Sequence, residues 1–216
     1  MIDVRAPSEF EHGTIPKSIN IPLLEDSERK EVGICFRHAG QSSAIKLGHQ
    51  IVSGKIREQR MIAWCEQLKR DPNSILFCAR GGMRSQIAQD WIHAAGYPCS
   101  RVAGGFKAIR NCLLDTLQQF ITTGSIIILS GMTGTGKTRM LHSLFRTINL
   151  EGAANHKGSS FGRSLEEQPS QINFESCILL HLLNLVNINP NLPIIFEDES
   201  RTIGSRQIPP NLFEKM

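Results

Sequence analysis

The segment Gly131-Met132-Thr133-Gly134-Thr135-Gly136-Lys137-Thr138 constrains the fold of this chain more than any other part of its sequence. It matches the pattern G-x-x-x-x-G-K-[ST] in full. The apolar stretch Ile126 to Leu129 comes before it and predicts a buried strand. Apolar residues at helical spacing follow it: Leu141, Leu144, Phe145 and Ile148. A glycine-rich loop between a buried strand and a helix points backbone N–H groups at an anion. The sequence therefore predicts an α/β unit that binds a phosphate group.

Five residues of this loop are the predicted phosphate ligands. Glycines let the backbone approach the anion closely, and a lysine adds a point charge beside the partial positive charge of the helix N-terminus. The predicted ligands are Gly131, Gly134, Gly136, Lys137 and Thr138. The pattern does not distinguish a nucleoside triphosphate, a prenyl diphosphate and selenophosphate, since all present similar oxygens.

A candidate Mg²⁺ site follows from the same motif. The Thr138 hydroxyl is one predicted ligand. A later apolar strand, predicted over 193–196, ends in three consecutive acidic residues, where a carboxylate would meet the metal. We predict Asp198 as that carboxylate in preference to Glu197.

A second loop of unusual composition begins at Cys78. The short apolar run Ser74 to Phe77 predicts a strand that leads into this cysteine, and a helix is predicted to follow from Arg84. The turn between them contains two glycines and two arginines, so several backbone amides can face the sulfur. Such a turn lowers the pKa of a thiol and stabilises a persulfide or perselenide anion. Cys78, Arg80 and Arg84 are therefore candidate catalytic residues.

Cysteine usage and charge narrow the functional classes. The six cysteines include no C-x-x-C pair, which argues against a zinc site or a dithiol switch. The net charge of +4 suits a nucleic-acid partner without requiring one. No apolar run approaches the roughly 18 residues of a membrane span, and the N-terminus lacks the pattern of a secretory signal. We expect a cytoplasmic protein.

Two sets of motifs resemble known families. The first half resembles the rhodanese domain through Asp3-Val4-Arg5, Glu9-Phe10, Gly13, Ile15-Pro16, Asn20-Ile21-Pro22 and the Cys78 loop with Arg80, Gly81, Arg84 and Ser85. The order of this module and the P-loop module adds a more specific resemblance, to tRNA 2-selenouridine synthases. The motifs that carry it are Glu28-Arg29, Val32-Gly33, Gly40, Leu47-Gly48, 78–85, 104–110, 156–162 and 197–201.

That resemblance implies a transferase acting on tRNA. Family members replace the sulfur of wobble 2-thiouridine with selenium from selenophosphate, and S-geranylate the thiouridine with geranyl diphosphate as an intermediate step. It implies that Cys78 handles the chalcogen and that residues 131–138 hold a phosphate-bearing substrate. No resident cofactor is implied with certainty beyond the candidate Mg²⁺. Two other readings are a sulfurtransferase with a regulatory nucleotide-binding P-loop, and a non-catalytic module that binds tRNA or phosphate.

The fold class expected from these patterns is α/β, with two mainly parallel sheets and helices on both faces. We predict a rhodanese-like domain over 1–115, a linker over 116–124 and a P-loop domain over 125–216. The last domain has about 90 residues, fewer than such domains usually need to complete a sheet. We therefore expect it to be incomplete at its C-terminus.

Overall fold

The computed structural model describes residues 1–132, 135–157 and 167–216, apart from the side chains of Thr138 and His142. Within these ranges the chain divides into two compact units, 1–109 and 110–216. Each unit has a parallel sheet and helices, which confirms the predicted α/β class.

The first unit is built on a four-stranded parallel sheet of order β2-β1-β3-β4. Its strands are short because the chain turns into a helix or loop after two or three residues of each. In chain order the elements are β1 (Ile2–Asp3), α1 (Pro7–His12), β2 (Ile19–Asn20), α2 (Asp26–Ile51), α3 (Gly54–Arg70), β3 (Ile75–Phe77), α4 (Met83–Ala94) and β4 (Ser100–Arg101). Their apolar faces form one core around the fully buried Trp64 and Leu76.

Helix α2 is longer than the helix predicted from Ser42 to Val52. It begins at Asp26 and contains one non-helical residue, Gly40, whose φ of 76° and ψ of 179° kink it. Its first half is mostly polar and exposed, so the apolar spacing used to find helices was weak there.

Helix α5 (Gly105–Thr123) runs through most of the segment 116–124 that was predicted as a linker. Leu113, Leu117 and Phe120 are separated by four and three residues and are all buried. Helical spacing of these apolar side chains explains why the segment is helical up to Thr123.

The second unit contains a three-stranded parallel sheet of order β5-β7-β6 and an antiparallel hairpin, β8-β9. The buried helix α8 packs beside this sheet, and was not singled out in the sequence. The elements are β5 (Ile126–Leu129), α6 (Lys137–Ser143), β6 (Thr147–Ile148), α7 (Leu150–Ala154), α8 (Gln171–Ile188), β7 (Ile194–Glu197), β8 (Thr202–Ile203), β9 (Arg206–Gln207) and α9 (Pro210–Lys215).

The helix predicted to reach Ile148 was too long. Helix α6 ends at Ser143, and Thr147–Ile148 instead pairs with β7 as a strand. Phe145, predicted on the buried stripe, is 92% exposed. Pairing of Ile148 with Phe196 buries that isoleucine in the sheet, which a further helical turn would not do.

Candidate active-site loops

Cys78 lies at the carboxyl end of the inner strand β3, in the turn before α4, as the sequence predicted. Loops at this edge of a parallel sheet are the usual place for ligand sites in open α/β folds. The residue is 2% exposed, so its sulfur sits within the turn and not on the protein surface.

Polar groups of the turn surround the Cys78 sulfur. The hydroxyl oxygen of Ser85 lies 3.2 Å from Sγ. The Gly82 carbonyl accepts a hydrogen bond from the Ser85 hydroxyl at 3.1 Å and one from the Cys78 thiol at 3.9 Å. The Ser85 hydroxyl and the backbone N–H groups of Arg80 and Ser85 are the groups that can donate to a negative charge on the sulfur.

The pKa of Cys78 is below its ordinary value. Burial acts to raise it, but the hydroxyl and N–H of Ser85, the N–H of Arg80 and the positive charge of Arg84 together outweigh burial. At Cys65, Cys99 and Cys177, by contrast, burial raises the pKa above its ordinary value. The turn thus favours a thiolate at Cys78 specifically.

Two glycines let the start of α5 pack closely against the Cys78 turn. Gly105 has φ of 60°, and a Cβ there would lie 2.2 Å from the Cys78 carbonyl oxygen. Gly81 has φ of 63°, and a Cβ there would lie 2.5 Å from the Gly104 nitrogen. Because of this close approach, Phe106 N–H donates to the Cys78 carbonyl at 2.8 Å. The start of α5 fixes the shape of the cysteine loop.

Arg84 is held by a carboxylate that the sequence analysis did not assign to the site. Its guanidinium donates to both oxygens of Glu9, one of them at 3.2 Å, and Arg29 contacts the same carboxylate at 3.0 Å. Burial acts to lower the pKa of Arg84, but Glu9 and then Cys78 raise it overall. Glu9 thus positions a permanent positive charge beside the sulfur.

The predicted catalytic arginines contribute differently. The Arg80 side chain is exposed, and what this residue gives the loop is its backbone N–H. The Arg84 side chain is half-buried, and its positive charge acts on the Cys78 sulfur. The structure brings Cys78 and Arg84 together and leaves the Arg80 guanidinium facing solvent.

A buried ion pair supports the strand beside the cysteine loop. Arg5 contacts the Asp3 carboxylate at 2.6 Å and donates to the Gly13 carbonyl at 2.8 Å. Its guanidinium lies 4.1 Å from the ring centre of Phe106. Both charged groups are buried and hydrogen-bonded, as burial of charge requires. The Asp3-Val4-Arg5 motif therefore has a structural role in joining β1 to the start of α5.

The predicted phosphate-binding loop lies between β5 and α6. Gly136 precedes the helix with φ of 86°, a conformation that favours glycine. Lys137 Nζ donates to the Gly131 carbonyl at 2.7 Å, and a Cβ on Gly131 would lie 2.9 Å from Thr135 Oγ1. Gly131 therefore lies close to both Thr135 and the Lys137 side chain. The predicted ligand Gly134 and the side chain of Thr138 lie outside the described residues.

The structure places the predicted metal ligand Asp198 beside a separate group of carboxylates. Asp198 is exposed and accepts a hydrogen bond from Ser130 Oγ at 2.5 Å. The acidic group that the described residues bring together is Glu151, Glu197 and Glu199, with ligand atoms all within 4.8 Å of one another. Glu151 was missed because it comes from α7, far from the other two in sequence.

Glu197 is the most deeply buried of these carboxylates. It is 1% exposed, and its Oε1 has no hydrogen-bond partner within residues 1–132, 135–157 and 167–216. Burial raises its pKa, and the nearby charge of Glu151 adds to this effect. Its other oxygen, Oε2, accepts a hydrogen bond from the Glu151 N–H at 3.2 Å. A buried carboxylate with one oxygen left without a partner is costly unless a cation compensates it. Three carboxylates around such an atom fit Mg²⁺, which prefers oxygen ligands.

The two loops define the chain as a rhodanese-like module followed by a P-loop module. Family models agree with this division. Residues 1–112 match the rhodanese-like domain, and residues 124–216 match the tRNA 2-selenouridine synthase AAA domain. The chain therefore belongs to the tRNA 2-selenouridine synthase family, as its motifs predicted.

Individual relatives support this assignment. A tRNA 2-selenouridine synthase of Shewanella frigidimarina (strain NCIMB 400) is 46% identical over all of this chain and 59% of its own length. One of Marinobacter nauticus is 48% identical with the same coverage. The chain thus spans about three fifths of the curated relatives it matches.

The chain is also similar to a solved structure. The crystal structure of an N-terminal domain from Clostridium difficile 630 is 34% identical, covers 52% of this chain and 87% of its own, and has a TM-score of 0.49. Separately, none of the helices in the described ranges is long and apolar enough to cross a membrane.

Proposed function

We propose that this chain takes part in the selenation of tRNA, replacing the sulfur of wobble 2-thiouridine with selenium. The observation that carries the proposal is the set of donors around Cys78: the Ser85 hydroxyl, two backbone N–H groups and the charge of Arg84. A site of this kind stabilises a soft anion such as a thiolate, a persulfide or a selenium species. The choice of tRNA as substrate is supported by the family match and by the relatives, which are named tRNA 2-selenouridine synthases.

The proposed reaction proceeds in two transfers. The P-loop holds the diphosphate of geranyl diphosphate, and the thiouridine sulfur attacks the geranyl carbon, so that a C–S bond forms and diphosphate leaves. The base loses its N3 proton in this step. Water then attacks the phosphorus of selenophosphate, and the Se–P bond breaks with its electron pair on selenium, which gives phosphate and hydrogen selenide ion. The selenide attacks C2 of the base, the C2–S bond breaks, geranylthiolate leaves with the electron pair, and the selenide proton returns to N3. Alkylation therefore converts a poor leaving group into a better one.

The residues have distinct proposed tasks. Cys78 positions the selenide nucleophile, with selenium kept at the selenide oxidation level, and Arg84 and the inward N–H groups of the turn stabilise the negative charge there. Gly131, Gly136 and Lys137 bind phosphate oxygens. Mg²⁺, when bound, would neutralise part of the phosphate charge and would be held by Glu197 with its two acidic neighbours.

The test gives purified protein a tRNA containing 2-thiouridine, geranyl diphosphate and selenophosphate, with nucleoside products read by mass spectrometry. We expect S-geranyl-2-thiouridine and 2-selenouridine from the parent, and loss of the selenated product in Cys78→Ser. Cys112→Ser is the matched control, because Cys112 is an exposed free thiol. Selenation by Cys78→Ser at the parent rate would exclude the role of this cysteine. Rapid sulfur transfer to cyanide without any tRNA product would favour the sulfurtransferase alternative.

A further inference from the structure

An apolar cavity of about 330 Å³ lies in the first unit, between the two halves of α2 and one side of α4. The kink at Gly40 allows both halves of α2 to line it. Residues from the first half include Val32 and Phe36, and residues from the second half include Ala44 and Ile45. Most of the remaining wall is also hydrocarbon, and polar groups are few.

The side chains around this cavity leave it open. Phe36 is 54% exposed and Met83 is 40% exposed, although both are large apolar residues that would otherwise be buried. Gly33 and Gly48 contribute no side chain to the wall, and a Cβ at Gly33 would meet nothing within 4 Å. Concave apolar surface of this kind marks ligand sites in folded proteins.

The volume indicates the size of the occupant. A cavity of about 150 Å³ holds a six-carbon ring such as benzene. The volume of 330 Å³ is a little more than twice as large, which suits an aliphatic group of about ten to twelve carbons. A nucleobase or a bare phosphate would leave its polar atoms against hydrocarbon, at a cost in free energy.

The cavity reaches the start of the helix that follows the cysteine loop. Met83 and Arg84 are the first two residues of α4, directly after the turn that holds Cys78, and both line the cavity. Arg84 is also the residue whose charge acts on the Cys78 sulfur. A chain bound in the cavity would therefore have its polar end close to the site where selenium is delivered.

We propose that this cavity binds the ten-carbon prenyl chain of the S-geranylated base while selenium displaces the geranylthiolate. This inference rests on the proposed function and extends it by assigning a leaving-group site to the Cys78 module. It explains why the module keeps an open apolar cavity beside a loop made of polar donors. It also predicts that a geranylated base binds better than a base with a small alkyl group.

The test measures binding of S-geranyl-2-thiouridine and S-methyl-2-thiouridine nucleosides to the chain by calorimetry. Burial of the additional methylene groups should make the geranyl compound bind at least about tenfold tighter to the parent. Gly33→Leu should reduce that preference to less than about threefold by filling the cavity, since a leucine fits the open space there. Gly33→Ala, which adds only one methyl group, should retain most of it.

A second variant keeps the test independent of Gly33. Phe36→Ser removes a half-exposed wall of the cavity and should also lower the geranyl preference without affecting the methyl compound. Persistence of the full preference in both Gly33→Leu and Phe36→Ser would overturn the assignment, as would equal binding of the two nucleosides by the parent.

The tRNA assay separates this proposal from the proposed function. A parent that prefers the geranyl nucleoside but makes no 2-selenouridine would exclude the selenation function and leave the cavity assigned to a prenyl chain. A parent that selenates tRNA but binds both nucleosides equally would exclude the cavity assignment alone.

Discussion

The Sγ atom of Cys78 lies 3.2 Å from the hydroxyl oxygen of Ser85, which is in the first turn of α4. Ser85 is fully buried and its backbone N–H also points toward the sulfur. One residue thus provides two of the donors that favour the thiolate. Sequence analysis placed Ser85 in the rhodanese motif but gave it no chemical role.

Replacing Ser85 with alanine should raise the pKa of Cys78. The variant loses the hydroxyl donor while burial, which opposes the thiolate, remains. The pKa is measured from the ultraviolet absorbance of the thiolate against pH, with Cys78→Ser as the baseline for the other five cysteines. Ser42→Ala, at an exposed position in α2, should leave the titration unchanged. An unaltered Cys78 pKa in Ser85→Ala would show that the hydroxyl does not act on the sulfur.

Replacing Glu9 with glutamine should reduce stability at neutral pH by about 1–3 kcal/mol, because Arg84 and Arg29 lose a charged acceptor. Burial acts to raise the pKa of Glu9, but the two arginines and the Ala6 N–H lower it overall from 4.5. Its contribution to stability is therefore present above pH 4.5 and is lost as the pH falls through the lowered pKa.

Urea unfolding of the parent and Glu9→Gln at a series of pH values checks this prediction. The difference between the two should shrink toward zero in acid. Glu11→Gln, at an exposed position in the same helix, is the control. A difference that stays constant down to the lowest pH would contradict the role of the Glu9 carboxylate.

The site residues that could be predicted are those whose functional neighbours are also close to them in the sequence. Cys78 and Lys137 were found because their loops combine glycine and charge between an apolar strand and a helix. Glu9 belongs to the rhodanese motif, but its role was not predicted, because it reaches Arg84 from α1, 75 residues away in sequence. Glu151 was not predicted, because it reaches the acidic group from α7 and no local pattern marks it. The spacing of apolar residues predicted a helix that includes Ile148, but this residue instead lies in a strand that pairs with β7. The cavity depends on the kink at Gly40, which the sequence does not specify.

Replacing Lys137 with alanine should weaken binding of geranyl diphosphate at least about tenfold, because the loop loses the charged group beside Gly131. Calorimetric titration with geranyl diphosphate and with inorganic pyrophosphate measures the effect, and both ligands should weaken together. Arg139→Ala removes an exposed cation from the same helix and should have a small effect. Equal losses in the two variants would mean that only general charge attraction is involved.

Replacing Glu197 with glutamine should abolish stabilisation by Mg²⁺. The Glu197 carboxylate is buried and lies with Glu151 and Glu199, so a bound cation would compensate three negative charges at once. At a hundred times its dissociation constant, Mg²⁺ should stabilise the parent by about 2.7 kcal/mol, seen as a higher unfolding temperature. Without metal, Glu197→Gln should unfold at the same temperature as the parent or higher, because the variant no longer buries a carboxylate whose Oε1 has no hydrogen-bond partner among the described residues. Glu214→Gln, at an exposed position in α9, should respond to Mg²⁺ like the parent. If Glu197→Gln retains the full response to Mg²⁺, the cation binds elsewhere, and Asp198 becomes the carboxylate to replace next.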